Sequence, residues 1–84
     1  MKNIKIYTIN NCPFCDKAKA LLNQEGIPFT SILVDRNDDA TRQELVMRSN
    51  MRTFPQIFVD EKILGGYSEL VAEFEKNRLD WIKS

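Results

Sequence analysis

Two cysteines separated by two residues, Cys12 and Cys15, come directly after a segment with the pattern of a β-strand. That segment, residues 2–9, alternates polar and apolar side chains and contains β-branched and aromatic residues, as half-buried strands do. A turn-forming Asn-Asn pair follows it, and Pro13 is favoured at the first position of a helix. The sequence therefore predicts that both cysteines lie where a strand gives way to a helix.

The cysteine count limits what this pair can do. The chain has two cysteines and no histidine. A disulfide between residues so close in sequence closes a loop too short to restrain a small secreted fold. A zinc site needs about four ligands, usually Cys or His, so a metal site here needs carboxylates or a second chain. Two small buried hydrophobic residues are a further interpretation, but it leaves their place at the junction unexplained.

The rest of the chain alternates between helix and strand patterns, separated by glycine, proline and turn-forming residues. The expected elements are a helix at 13–25, a strand at 29–34, a helix at about 40–49 capped by Asn37 or Asp38, strands at 56–59 and 62–64, a helix capped by Ser68, and a last turn after a break at 77–78. The side chains expected to face the core include Phe14, Ala18, Leu21, Leu22, Phe29, Phe58, Leu70, Val71, Phe74 and Trp81.

This order of elements, β-α-β-α-β-β-α, predicts one α/β domain over residues 1–84. The first strand–helix–strand unit implies parallel pairing through a right-handed crossover, and the short connection between the last two strands implies an antiparallel hairpin. The result is a four-stranded mixed sheet with helices on both faces, which is the thioredoxin-like architecture. A Cys-x-x-Cys motif after the first strand of that architecture is typical of a redox centre.

The two cysteines are expected to have different roles. The reactive form of a cysteine is its thiolate, and unpaired N–H groups and the helix dipole stabilise an anion at a helix N-terminus. Cys12 lies at that terminus and is expected to be the more acidic, more exposed nucleophile. Cys15 lies one turn inside and is expected to be the resolving thiol.

Three motifs in this order resemble those of the glutaredoxins, and the similarity covers essentially the whole chain. They are Cys12-Pro13-Phe14-Cys15, where the family usually has Cys-Pro-Tyr-Cys; Thr53-Phe54-Pro55, where it has Thr-Val-Pro; and Gly65-Gly66-Tyr67-Ser68, where it has Gly-Gly-x-Asp/Ser. The chain is most similar to the short bacterial dithiol type.

The resemblance implies that the ligand is glutathione. The residues it implies for binding are Phe14, Arg42, Arg52, Thr53, Phe54, Pro55, Gly66, Tyr67 and Ser68. Pro55 is then the family's cis proline facing Cys12, and the backbone of Phe54 pairs with the cysteinyl part of glutathione like an added strand.

The other binding residues that the resemblance implies each have a physical reason to contact glutathione. Gly66 lets backbone approach closely, and the N–H groups of Tyr67 and Ser68 suit the γ-glutamyl carboxylate at a helix N-terminus. Arg42 and Arg52 match positions that meet the glycyl carboxylate, which a guanidinium binds bidentately. Simpler interpretations remain: Pro55 as a strand start, the glycine pair as a turn, Ser68 as a cap only, and Arg42 as a solvated helix residue.

One position departs from the family pattern. The family commonly has Lys three residues before the first cysteine, and this chain has Ile9 there. A lysine at that place contributes to glutathione anchoring and to thiolate stabilisation, so both are expected to be weaker here. The competing interpretation is that Ile9 is the inward end of the first strand.

The expected function is glutathione-dependent reduction of protein disulfides and glutathione mixed disulfides. Glutathione is a cosubstrate, no permanently bound cofactor or metal is expected, and the protein is expected to be a monomer. One alternative is a thioredoxin-like electron donor recycled by a flavoprotein reductase, although the Cys-Gly-Pro-Cys of thioredoxins is absent. Another is a dimeric iron–sulfur carrier, which Pro13 argues against because such relatives have Gly or Ser there.

Composition limits the partners and the cellular location that can be expected for the chain. The 12 basic residues balance the 12 acidic ones, so no overall field favours nucleic acid or a membrane surface. The sequence has no apolar run of membrane-spanning length, and its first residues lack the apolar block of a secretion signal. A cytoplasmic protein without nucleic-acid or membrane partners is therefore expected.

Overall fold

The elements follow one another in the predicted order, in a computed structural model that describes residues 2–77 and 79–83. They are β1 (Ile4–Thr8), α1 (Pro13–Gln24), β2 (Thr30–Leu33), α2 (Asp39–Ser49), β3 (Gln56–Val59), β4 (Lys62–Gly65), α3 (Tyr67–Glu75) and α4 (Asp80–Lys83). The expected break at 77–78 lies partly outside the described residues, because Arg78 is not among them. None of the helices in the described ranges is long and apolar enough to cross a bilayer.

The four strands form one mixed sheet in the order β2-β1-β3-β4. β1 pairs with β2 in parallel, with Lys5 opposite Thr30, and with β3 antiparallel, with Ile6 opposite Ile57. β3 and β4 form the expected antiparallel hairpin. The predicted thioredoxin-like topology is therefore confirmed, and β1, which leads to the cysteines, lies inside the sheet.

Hydrophobic clusters on both faces of the sheet hold the helices in place. The larger cluster joins the sheet to α1, α3 and α4 and contains Ile4, Ile6, Ala18, Leu22, Ile27, Ile57, Val59, Leu70, Leu79 and Ile82. The smaller joins the sheet to α2 and contains Val34, Leu45 and Phe58, with Tyr7, Ile9, Phe54 and Ile63 packed against it. Helices on both faces are thus confirmed.

Two aromatic residues expected in the core are at the surface. Phe14 is 56% exposed and Phe74 is 39% exposed. Phe14 belongs to the first turn of α1, where its ring contacts Tyr67 of α3 rather than the sheet. Phe74 lies in the last turn of α3, and the core residues that follow it in the chain are Leu79 and Ile82. Of the other expected core aromatics, Phe58 is fully buried, while Phe29 and Trp81 pack partly buried against the larger cluster.

The helix caps agree with the sequence at α2 and differ at α3. Asp38 caps α2 and accepts a hydrogen bond from the Thr41 N–H. The cap of α3 is Gly66, so Ser68 lies inside the first turn and is not the cap that the sequence predicted. Glu69 makes this possible, because its carboxylate reaches back and accepts a hydrogen bond of 2.6 Å from the Gly66 N–H.

Candidate active site

Cys12 and Cys15 are joined by a disulfide at the start of α1. Cys12 is the N-cap of the helix and Pro13 is its first residue, as the sequence predicted. The Cys15 N–H donates a hydrogen bond of 3.2 Å to the Cys12 sulfur. Cys12 is half-buried, whereas Cys15 is only 1% exposed. Cys12 is therefore the more accessible of the two cysteines, while Cys15 is shielded from solvent.

An arginine fixes the loop between β1 and Cys12. Arg36 donates a hydrogen bond of 2.7 Å from Nη2 to the Asn10 carbonyl. Arg42 donates one of 2.8 Å from Nη1 to the Arg36 carbonyl. This chain of contacts links α2 to the segment that delivers Cys12, so the two sides of the site are held together.

The segment before β3 lies against the redox centre. The Phe54 carbonyl oxygen is 3.8 Å from the Cys12 sulfur. The Phe54–Pro55 peptide bond is cis, as the resemblance implied, and Pro55 is buried. The backbone at Phe54 therefore borders the atom at which chemistry takes place.

Two grooves meet at this segment, and both are lined by Met51 and Phe54. The groove toward α3 has a volume of about 450 Å³ and is lined by Phe14, Met51, Thr53, Phe54, Pro55, Gly66, Tyr67, Ser68 and Glu69. The groove toward α2 has a volume of about 270 Å³ and is lined by Asp39, Arg42, Gln43, Val46, Met51, Arg52, Phe54 and Gln56. All nine residues that the resemblance implied for glutathione line one groove or the other.

The two grooves differ in what they offer a ligand. The α2 groove is lined by two arginines, Arg42 and Arg52, and by one acidic residue, Asp39, so its net charge suits an anion. The α3 groove contains the first-turn residues Tyr67 and Ser68, whose end of the helix favours negative charge. It also has an aromatic wall.

That wall is the ring pair of Phe14 and Tyr67. Their ring centroids are 5.8 Å apart and the planes are tilted by 32°. The ammonium of Lys17 lies 5.2 Å from the centroid of the Phe14 ring, within range of a cation–π interaction. Phe14 thus lies at the surface beside the redox centre, where it lines the α3 groove.

Both glycines of the Gly-Gly motif have structural reasons to be glycine. Gly65 has a φ of +132°, and a Cβ there would lie 2.5 Å from the Cγ of Glu69. Gly66 is buried, and a Cβ there would lie 3.3 Å from the Pro55 carbonyl oxygen. The close approach expected at Gly66 is therefore present, and the stricter requirement is at Gly65.

Sequence reasoning missed Met51 and Glu69 of the α3 groove and Gln56 of the α2 groove. The spacing of Gly66 and Glu69 resembles a capping box and could have identified the carboxylate. Met51 and Gln56 give no such local signal, because their place depends on how α2 packs against β3.

Ile9 packs against the smaller hydrophobic cluster with Leu45 and Phe58. It is half-buried and is not among the described residues that line the two grooves. The packing agrees with the interpretation of Ile9 as an inward-facing residue at the end of β1. This position therefore has no positive charge, unlike the family pattern with Lys there.

A redox-active disulfide at the N-terminus of a helix in a thioredoxin-like fold, bordered by a cis-proline segment, defines a thiol–disulfide oxidoreductase. The sequence profile of the glutaredoxin family matches residues 4–64. The chain belongs to the glutaredoxin family.

Individual relatives support this assignment over nearly the whole chain. Glutaredoxin 3 of Escherichia coli strain K12 is 42% identical over 80 residues, which cover 95% of each chain. The solution structure of glutaredoxin from Brucella melitensis matches with a TM-score of 0.82 and 37% identity, over 99% of this chain and 89% of that one. A crystal structure of a buckwheat glutaredoxin–glutathione complex shares the fold, with a TM-score of 0.88 at 23% identity over 98% of this chain and 76% of that one.

Proposed function

We propose that this protein reduces glutathione mixed disulfides and protein disulfides with glutathione as its cosubstrate. The observation that carries the proposal is the half-buried residue Cys12, whose sulfur lies 3.8 Å from the Phe54 carbonyl oxygen, beside two grooves of complementary character. A tripeptide with a carboxylate at each end and a sulfur between them fits this arrangement. The glutathione complex of the buckwheat relative adds support from a protein of the same fold.

The γ-glutamyl end is assigned to the α3 groove. Its carboxylate would accept hydrogen bonds from the N–H groups of Tyr67 and Ser68 in the first turn of α3, where the helix dipole favours an anion. Its ammonium would be near the carboxylate of Glu69, which lines the same groove. Gly66 leaves room for the backbone of the ligand, and Phe14 and Tyr67 form the wall.

The glycyl carboxylate is assigned to the α2 groove, with Arg42 and Arg52 as its partners. The cysteinyl residue lies between the two ends and pairs with the main chain of Phe54, between Thr53 and Pro55, as an added strand does. In this pose its sulfur is directed at Cys12.

For a glutathionylated protein, the Cys12 thiolate attacks the glutathione sulfur of the mixed disulfide. The Cys12–glutathione disulfide forms, the bond to the substrate breaks, and the substrate leaves as a thiolate that takes up a proton. The thiolate of a second glutathione then attacks the bound glutathione sulfur. Glutathione disulfide leaves, and Cys12 returns to its thiolate form.

For a protein disulfide, Cys12 first forms a mixed disulfide with one substrate sulfur and releases the other as a thiol. The Cys15 thiolate then attacks the Cys12 sulfur, forms the Cys12–Cys15 disulfide and releases the second substrate thiol. The oxidised structure represents this product. Two glutathione molecules return the pair to its dithiol form and leave as glutathione disulfide.

The test separates the two cysteines. Cys12→Ser is expected to abolish turnover of a glutathione mixed disulfide and of a protein disulfide, in an assay in which glutathione reductase recycles glutathione. Cys15→Ser is expected to retain turnover of the mixed disulfide and to lose the part that needs an internal disulfide. Substantial turnover by Cys12→Ser, or none by the wild type with glutathione, would contradict the proposal.

The proposal extends to the oligomeric state, cellular location and cofactors of the protein. We infer a single-domain monomer of the cytoplasm, where the glutathione pool is kept reducing, with glutathione as a cosubstrate and no resident cofactor. Sedimentation of the reduced protein at the mass of one chain, and an absorbance spectrum without visible bands after anaerobic purification, are the expected results. A coloured dimer would instead indicate cluster binding.

A further inference from the structure

A buried amide lies beneath the segment that carries Arg52, Thr53 and Phe54. Gln56, the first residue of β3, is 1% exposed, although glutamine is mostly found at protein surfaces. A polar group in such a place destabilises the fold unless it is hydrogen-bonded. The partners of this amide therefore indicate why it is there.

The nitrogen of the amide is engaged by the backbone of the binding segment. Nε2 donates a hydrogen bond of 3.1 Å to the Met51 carbonyl and another of 3.1 Å to the Thr53 carbonyl. A primary amide has two N–H donors, so both are used. The two carbonyls flank Arg52, and the second belongs to the residue before Phe54.

The oxygen of the amide is engaged by Ser49 in the last turn of α2. The Ser49 hydroxyl oxygen lies 2.7 Å from Oε1 of Gln56 and 2.7 Å from the Leu45 carbonyl. With one proton it donates to one of them at a time. It also accepts a hydrogen bond of 3.1 Å from the Met51 N–H. Gln56 is thus clamped between α2 and the segment.

We propose that Gln56, oriented by Ser49, is a positioning residue that sets the affinity of this enzyme for glutathione. It holds the backbone on both sides of Arg52 in one shape, so that the Arg52 side chain lines the α2 groove and the Phe54 main chain faces the ligand. The inference rests on the proposed function, because it assumes that this segment binds the tripeptide.

The physical reason is preorganisation. Without the amide, two buried carbonyls lose their donors and the segment gains other conformations, so ligand binding must then order it. Cys12 shares the Phe54 carbonyl with this segment, but its place at the start of α1 and the hydrogen bond from the Cys15 N–H do not involve the amide. Loss of the amide should therefore affect substrate affinity more than thiol reactivity.

The experiment compares KM for a glutathione mixed disulfide, kcat, and the rate at which iodoacetamide alkylates reduced Cys12. Gln56→Met keeps the length of the side chain and removes its hydrogen bonds, and it is expected to raise KM about tenfold. The alkylation rate and kcat should both change less than KM. Ser49→Ala leaves both donations to the carbonyls intact and is expected to raise KM by only about threefold.

Gln56→Glu provides a second variant should Gln56→Met fail to fold. It keeps an acceptor for Ser49, and burial favours its neutral carboxyl, which has a single O–H donor for the two carbonyls, so KM should rise, but by less than in Gln56→Met. The matched control is Val59→Ala, at the other end of the same strand and 2% exposed, which should lower stability and leave KM unchanged.

Two results would overturn the inference: a wild-type KM in folded Gln56 variants, or an equal rise of KM in Val59→Ala. The second would show that general loss of stability, and not the position of the segment, raises KM. Failure of the proposed function would appear differently, as absent glutathione turnover in the wild type itself.

Discussion

At residue 9 the structure allows a charge effect and a packing effect to be separated. Ile9→Lys places a cation near the start of α1, and its aliphatic stem can remain on the cluster around Leu45 and Phe58 while the ammonium reaches water. We expect a lower KM for glutathione and faster alkylation of Cys12 at a fixed, mildly acidic pH. We also expect about 1–2 kcal/mol of lost stability from the disturbed packing.

The control for residue 9 is Ile9→Met, which changes the packing without adding a charge. It should leave KM and the alkylation rate at their wild-type values. If Ile9→Lys behaves in the same way and loses stability only, residue 9 has no bearing on the site, and the departure from the family pattern is a matter of packing alone.

Gly65 and Gly26 offer a matched pair of glycines with positive φ. A Cβ at Gly65 would displace the side chain of Glu69, which holds the Gly66 N–H, whereas a Cβ at Gly26 would have nothing within 4 Å. Gly65→Ala should lower stability by about 1–3 kcal/mol and raise KM for glutathione. Gly26→Ala should show backbone strain only, with KM unchanged.

Urea unfolding and steady-state kinetics measure the two effects of the glycine substitutions. Equal KM values in the two variants would mean that Glu69 and the first turn of α3 do not shape the α3 groove.

At the scale of elements, the cap of α2 predicts an acid dependence of stability. Asp38 accepts hydrogen bonds from the Thr41 hydroxyl and N–H, and these lower the pKa of its carboxyl below the ordinary value. A carboxyl with a lower pKa in the folded state stabilises the fold fully above its unfolded pKa. That contribution is lost as the pH falls through the folded pKa.

Asp38→Asn should therefore have a flatter dependence of the thermal midpoint on acid pH than the wild type. It should unfold a few degrees earlier at neutral pH, and the difference should shrink toward acid pH. Thr41→Val removes the hydroxyl donor and keeps the N–H, so its thermal midpoint should depend on acid pH less than that of the wild type but more than that of Asp38→Asn. If the thermal midpoint depends on pH in the same way in the wild type and in Asp38→Asn, this account of the cap is contradicted.

Most elements follow from the sequence because their signals are local. The alternation in β1, Pro13 after Cys12, and the uninterrupted run Gln56–Val59 each determine an element through its own residues. The expected cap at Ser68 was wrong because the Glu69 side chain stabilises an earlier start of α3. The inward position predicted for Phe14 was wrong, because periodicity indicates the face of a helix but not whether the helix extends past the sheet at that residue.

At the scale of the whole molecule, the motifs predicted residues that line the two grooves but not the contacts that hold them. Cys12, Phe54 and Tyr67 belong to three separate motifs of the sequence, and Phe54 lies both against the Cys12 sulfur and in the groove that Tyr67 lines. The clamp between Ser49 and Gln56 depends on α2 packing against β3. Because no local pattern encodes that packing, the pattern around Gln56 predicts only the start of a strand.

The last prediction concerns α4, which completes the larger core cluster without lining either groove among the described residues. Ile82 is 1% exposed and packs with residues of the sheet, α1 and α3. Ile82→Ala should lower the free energy of unfolding by about 2–5 kcal/mol, a large fraction of the total for a small domain. Ile82→Val should lose about 0.5–1.5 kcal/mol.

Urea unfolding of the oxidised protein measures these losses, and kinetics at low temperature, where both variants are folded, measure the site. KM for glutathione should equal the wild-type value in both variants, because the Cys12 helix start and the clamp around Gln56 do not involve Ile82. An unfolding midpoint of Ile82→Ala equal to that of the wild type would mean that α4 does not pack on the core. A raised KM in a fully folded variant would mean that the core transmits its packing to the binding segment.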